Sequence, residues 1–195
     1  MKQELKRVSR IYPWYSGLSG DLMFYIAISS IWLTEVKDFS AFQVTLLTTV
    51  SSLFGIILQI PILRIIKKIG NTTSIRVGSF FLLLSSILIT FCTKYNWFII
   101  AMVIYETAFL FKNMGDILIK NNLNYLEKGK EFVKLRSNTN TIYAVVTAII
   151  ALIIGGLFNI FEYLPMLLCI LNCLICFLLS FYIFDIADIK GEVGS

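Results

Sequence analysis

Six runs of this chain are each long and apolar enough to cross a bilayer as a helix: residues 17–36, 41–66, 73–93, 97–119, 139–158 and 163–184. A hydrocarbon core of roughly 30 Å takes about 20 mostly apolar residues to span. With no water in that core, a spanning segment must satisfy its own backbone N–H and C=O groups, which a helix does internally. Composition agrees: 57% of the residues are hydrophobic and 15% charged, with a mean hydropathy of +0.81. Ordinary soluble chains have about 45–50% apolar and about 25% charged residues. The expected fold is all-α, one polytopic membrane domain over residues 1–195. The second run is long enough to tilt, and Pro61 near its end is a natural bend point. The first is the least regular, because Asp21 lies inside it. Asp21 also argues against a cleaved signal peptide, since it sits where the apolar region would begin and no small-residue cleavage site follows.

Lysine and arginine in the short connections set the orientation. The segment before the first run holds Lys2, Lys6, Arg7 and Arg10; the second connection holds Arg64, Lys67, Lys68 and Arg76. The fourth holds Lys120, Lys128, Lys130, Lys134 and Arg136, and the tail holds Lys190. The first and third hold one each, Lys37 and Lys94, and the fifth none. Fourteen basic residues therefore fall on one side and two on the other, with Lys112 inside the fourth run. The basic side is the cytoplasmic one, so both termini are expected in the cytoplasm. The net charge of +5 is this topological bias, and it does not point to nucleic acid. Tyr12, Trp14 and Tyr15 before the first run, Trp32 near its far end, and Tyr95, Trp97 and Tyr163 at other boundaries fit aromatic anchors at headgroup level. In the long fourth connection, Phe132 and Leu135 are three apart and suit a short amphipathic stretch along the inner surface.

The chain has no histidine, which removes His-liganded zinc and the Ser–His and Cys–His nucleophilic pairs. Gly17-Leu18-Ser19-Gly20 has the form of the GxSG of intramembrane serine proteases, but no histidine base is there to activate the serine. Of the four cysteines, Cys169, Cys173 and Cys176 share one apolar run with Cys92 elsewhere. A metal held there would need thiolates in hydrocarbon and a further ligand; buried cysteines more simply act as small hydrophobes. No metal, cofactor or disulfide framework is expected.

Ionisable groups within a membrane are costly, and each is a functional candidate. Four qualify: Asp21, Glu106, Lys112 and Asp116. Glu106 lies deepest, and Asn113, seven residues on, is expected on the same helix face. Two readings of Glu106 are open: a cavity-facing acid that binds a cation or proton, or a protonated acid in an interhelical hydrogen bond. Lys112 and Asp116 are four apart and suit a local ion pair near the inner interface. Asp21, near the inner end of the first run, could meet cytoplasmic lysines.

Three stretches together resemble the N-terminal six-helix half of a major facilitator superfamily transporter, of the drug-efflux type found in low-GC Gram-positive bacteria. The connection between the second and third runs has Lys67, Lys68 and Gly70, with Gly78 eight residues further on. It is similar to the family's GxxxDRxGRR, with Lys67 where the family has its aspartate, Leu63 for the first glycine, and Asn71 and Thr72 for the basic pair. The charged stretch from Tyr125 to Asn140 looks like the family's link between the fourth and fifth spans. Ile153-Ile154-Gly155-Gly156-Leu157-Phe158 is similar to GPxxGG without its proline and first glycine, a paired-glycine pattern that lets membrane helices approach closely. The resemblance implies a 3+3 half bundle in a bacterial cell (inner) membrane and transport by alternating access of a small molecule. It implies an inner gate at Lys67, Lys68, Gly70 and Gly78, with some other residue supplying the missing anion. It also implies a second six-helix half, as part of the same polypeptide, a separate subunit or a homodimer. Competing readings are a substrate-capture subunit of a vitamin importer, whose Ala-x-x-x-Ala surface is not evident since Ile31 follows Ala27, and a non-transporting membrane scaffold. A membrane enzyme is disfavoured, since the acids are dispersed and histidine is absent.

Overall fold

The computed structural model describes residues 1–190. The last five positions of the expected 1–195 domain, with the extreme C-terminus, lie outside the described residues. Among the described residues all regular structure is helical. Five helical stretches are long and apolar enough to cross a membrane: Lys2–Val36, Ala41–Ile69, Asn71–Phe91, Tyr95–Tyr125 and Gly129–Ile160. A further apolar helix, Leu164–Ser180, has 17 residues. It rises about 26 Å, a little less than the roughly 30 Å core. The protein is thus a helical, membrane-embedded chain.

Most helices run past the apolar boundaries. The first stretch is α1 (Lys2–Leu18) and α2 (Met23–Ile31), ending in one wide turn over Trp32–Val36. Next come α3 (Ala41–Ile69) and α4 (Asn71–Phe91). The fourth stretch is α5 (Tyr95–Lys112) and α6 (Met114–Tyr125). After a single 3-10 turn come α7 (Phe132–Ile160), α8 (Leu164–Ser180) and the short α9 (Ile186–Lys190). The connection expected to be a long surface loop is therefore mostly helix. Phe132 and Leu135 belong to the first turns of α7 and pack inward with Val8, Tyr12 and Leu123. They bury their apolar face against α1 and α6 and do not lie free along a surface. Pro61 sits inside α3, which continues through it as helix.

Local chemistry explains the helix ends. Ser40 opens α3 with a capping box: its Oγ accepts from the Gln43 N–H at 3.3 Å, and the Gln43 side chain accepts from the Ser40 N–H at 2.9 Å. Lys67 and Lys68 lie in the last turn of α3, at its negative dipole end. Gly70, with φ of +83°, turns the chain straight into α4. In α4, Ser74, Ser79, Ser86 and Thr90 are buried and hydrogen-bond back to their own helix. They are polar in sequence yet satisfied within the helix, and their small size lets neighbours come close.

α4 packs along α5 and α8, α3 along α5, and α1 along α7, with α2 leaning on α7 and α8. Trp32, Phe98, Leu82 and Met166 are fully buried where these helices meet. At the sparsely charged end, Lys37 is buried: its ammonium lies 4.9 Å from the Trp32 ring and donates to the Thr90 carbonyl at 2.8 Å. Burial holds this ammonium below its ordinary pKa. α3 and α7 keep wide apolar faces outward, with Phe42 75%, Leu152 86% and Ile160 77% exposed.

Candidate functional site

The first membrane stretch is broken. Between α1 and α2 the residues Ser19 to Leu22 leave the helix, which frees carbonyls at the end of α1 and N–H groups at the start of α2. Three of the freed groups meet side chains. The Asn172 amide of α8 donates to the Leu18 carbonyl at 2.9 Å. The Lys112 ammonium donates to the Ser19 carbonyl. The Leu22 N–H donates to Asp21 Oδ1 at 2.8 Å, and the Tyr105 hydroxyl donates to the same oxygen. A cation thus sits at the C-terminal end of one half-helix and an anion at the N-terminal end of the next, the arrangement each dipole end favours. Small residues place the break against α7: a Cβ on Gly17 would fall 2.7 Å from the Ile142 side chain.

The fourth stretch is interrupted more lightly, by one turn residue at Asn113 between α5 and α6; its backbone stays in the helical region and its N–H donates to the Phe109 carbonyl at 2.9 Å. The contacts change two expectations. Lys112 and Asp116 do not pair: Lys112 reaches Ser19, while Asp116 pairs with Arg136 at 3.1 Å and accepts from the Tyr12 hydroxyl at 3.3 Å. Nor does Asp21 meet a basic loop; its charged neighbour is Lys112, from within the fourth stretch. Lys112, Asn113 and Asp116 line one cavity of about 170 Å³ with Tyr12, Ser16 and Gly20. That volume suits an ion or a few waters and is below that of drug-sized pockets, about 300–1,000 Å³. Glu106 does not line it.

Glu106 faces Gly55 at the middle of α3; a Cβ at Gly55 would fall 3.3 Å from Glu106 Oε2. It forms no hydrogen bond or ion pair among the described residues and is half-buried. Asp21 lies within electrostatic reach of it, and Tyr105, its chain neighbour, holds Asp21. The structure therefore gathers Asp21, Tyr105, Glu106 and Lys112 around two helix breaks. Tyr105 carries no mark in the sequence, and Ser19 appears there only in a protease-like motif; the signal for the break is the cluster of turn-forming residues around Ser19 and Gly20 in an apolar run.

At the basic end, the segment after α8 brings two carboxylates to the start of α4. Asp188 accepts from the N–H groups of Asn71 at 3.2 Å and Thr72 at 2.7 Å, capping α4. Asp185 accepts from Asn71 at 2.7 Å and Asn121 at 3.0 Å; burial holds its carboxyl above the usual range. Asn122 adds two bonds, to the Phe184 carbonyl and from the Ile186 N–H. Lys67 and Lys68 are exposed. Gly70 carries both a positive φ and a Cβ position 2.7 Å from Asp188 Oδ1. Gly70→Ala is expected to cost about 1–2 kcal/mol from the backbone alone and to loosen the Asp188 cap. Thermal unfolding in detergent checks this, and wild-type stability would show the latch to be slack. Gly78 serves packing: a Cβ there would lie 2.8 Å from the Ala108 carbonyl.

Gly155 and Gly156 face open space, with nothing within 4 Å of either Cβ position, so no helix among the described residues uses them for close approach. Cys169, Cys173 and Cys176 are buried free thiols. Comparison with protein-family models, curated proteins and solved structures returns no match.

Proposed function

We propose that this chain is one half of a secondary active transporter of major facilitator type, a 3+3 bundle of six spans with α8 as the sixth, its termini on the cytoplasmic side of a bacterial cell membrane. One observation carries the reading: two interrupted membrane helices meet at Asp21, Glu106 and Lys112, with Tyr105 between. Interrupted helices whose ends face ionisable groups are how transporters build ion and substrate sites in the bilayer. Nothing in the cluster resembles a nucleophile with its base, so the chain acts by binding and movement. Glu106 is the cation- or proton-binding group, because it faces α3 across a bare glycine and has no partner to release. Tyr105 and Lys112 hold Asp21 in place, so that charge change at Glu106 is felt across the break.

The outward apolar faces of α3 and α7, and the glycine pair of α7, are where a second half would pack. The 170 Å³ cavity is too small for a substrate of drug size, which fits a site completed by that second half. Glu106→Gln is expected to lower ion-driven transport of lipophilic compounds by a hundredfold or more in energised vesicles, with membrane insertion intact. Wild-type rates in that variant would sink the assignment. Native mass spectrometry of the solubilised assembly separates the other readings: a pair with another six-span chain or a dimer supports the transporter, a lone chain the scaffold, and association with a nucleotide-hydrolysing importer core the capture subunit.

A further inference from the structure

Beyond the transport site, a groove of about 600 Å³ opens between α1 and the start of α7 at the basic end. Its lining is sorted along its length. Both helices run from the basic end toward the apolar interior, so residue number measures depth on each. At the shallow end stand Arg10 on α1 and Glu131 and Lys134 on the α7 side. At the deep end stand Pro13 and Trp14, and Thr141 and Ile142. The two helices touch at Gly17 and Ile142, which closes the groove below and leaves it open above.

The charges are not mutually cancelled. Glu131 is engaged by Lys128 at 2.6 Å. Arg10 and Lys134 have no carboxylate partner among the described residues. Two free cations therefore face the groove mouth, and below them the Trp14 indole is 58% exposed. A phosphate ester fits the cations, and the glycerol and first acyl carbons fit the Trp14, Pro13 and Ile142 walls. Basic pockets between membrane helices take anionic headgroups in this way, with tryptophan at the level of the ester groups.

We propose that the α1–α7 groove is a binding site for one anionic phospholipid, held by its phosphate on Arg10 and Lys134 and by its glycerol backbone against Trp14. The lipid bridges the first and fifth membrane stretches where the protein itself leaves a gap, and it ties the N-terminal half of the broken first stretch to α7.

The test is lipid retention by the full chain, read by native mass spectrometry after exchange into nanodiscs of mixed phosphatidylglycerol and phosphatidylcholine. Wild type is expected to keep one phosphatidylglycerol in preference to phosphatidylcholine. Arg10→Gln with Lys134→Gln is expected to lose that lipid by tenfold or more, while Lys6→Gln with Lys120→Gln, which removes the same charge outside the groove, keeps it. Trp14→Ala should weaken phospholipid retention and leave binding of inorganic phosphate unchanged. Equal loss in both double variants would overturn the proposal in favour of a diffuse charge effect. Equal retention of the two lipids would overturn it, as would displacement of the lipid by millimolar inorganic phosphate. The lipid preference of the wild type decides the matter even where a variant fails to fold.

Discussion

Gly78→Leu is expected to destabilise the bundle by about 3 kcal/mol, the upper part of the usual range for overpacking, and to broaden its unfolding in mild detergent. The reason is what the new side chain would meet. A Cβ at Gly78 lies 2.8 Å from the Ala108 carbonyl and 3.1 Å from the Lys112 backbone nitrogen. Both are backbone atoms of α5, so relief requires moving a helix. That movement would also shift Lys112, whose ammonium caps the end of α1. Gly156→Leu is the matched control. With nothing within 4 Å, it is expected to leave the single chain within about 1 kcal/mol of wild type, on the favourable side, since leucine outranks glycine in a helix. Unfolding midpoints of the two variants, measured side by side, check the contrast. Equal losses would mean that α7 is covered in the isolated chain or that α4 and α5 are not so close. In the assembled transporter proposed above, Gly156→Leu should instead weaken association with the second half.

The two glycine sites show where sequence reasoning reached and where it stopped. The apolar runs marked the membrane helices because lipid leaves a long uncharged segment no other backbone solution. Their ends were set too short: Lys2–Leu18, Phe132–Asn138 and Asn121–Tyr125 are polar yet helical, since helices continue past the hydrocarbon into water where polar residues cost nothing. The sequence pattern marks Gly156 for close helix approach and Gly78 as part of an inner-loop motif, yet Gly78 is the one packed closely and Gly156 faces open space. Only the assembled bundle distinguishes them, because which face of a helix meets a neighbour is a property of both helices. The breaks at Ser19–Leu22 and Asn113 left a faint trace in Gly17, Ser19, Gly20, Asp21 and Asn113, residues that favour turns. Lys112 stands out in the sequence as a costly charge, and its spacing points to Asp116 four residues away. The partner is Ser19, at a sequence separation of 93, and no local spacing carries that pairing. Asp188, likewise, sits past the last apolar run, far in sequence from the α4 terminus that it caps.

Lys112→Met should lower stability by about 1.5–3 kcal/mol, the range for a hydrogen bond to a charged group, and its effect should depend on Asp21. Methionine keeps most of the stem and its packing over the Phe109 ring, where the ammonium now lies 5.0 Å from the ring centre. The loss is therefore mainly electrostatic. The Ser19 carbonyl loses its donor at the end of α1, and Asp21 loses its neighbouring cation while Glu106 stays within its electrostatic reach. Asp21→Asn alone removes one of those two charges, and an asparagine oxygen can still accept from Tyr105 and the Leu22 N–H. With Lys112→Met already present, Asp21→Asn should consequently cost less than it does in wild type, or even recover stability, because it relieves the repulsion. A double-mutant cycle in detergent, from unfolding midpoints of the two single variants and the pair, measures that coupling. A coupling of about 1 kcal/mol or more means that the break in the first stretch and the break in the fourth are held by one charge system, so a cation or proton arriving at Glu106 acts on both. Strict additivity would separate them. Lys112 would then be a helix cap alone, and Glu106 would have no route by which its charge could move α1 against α2.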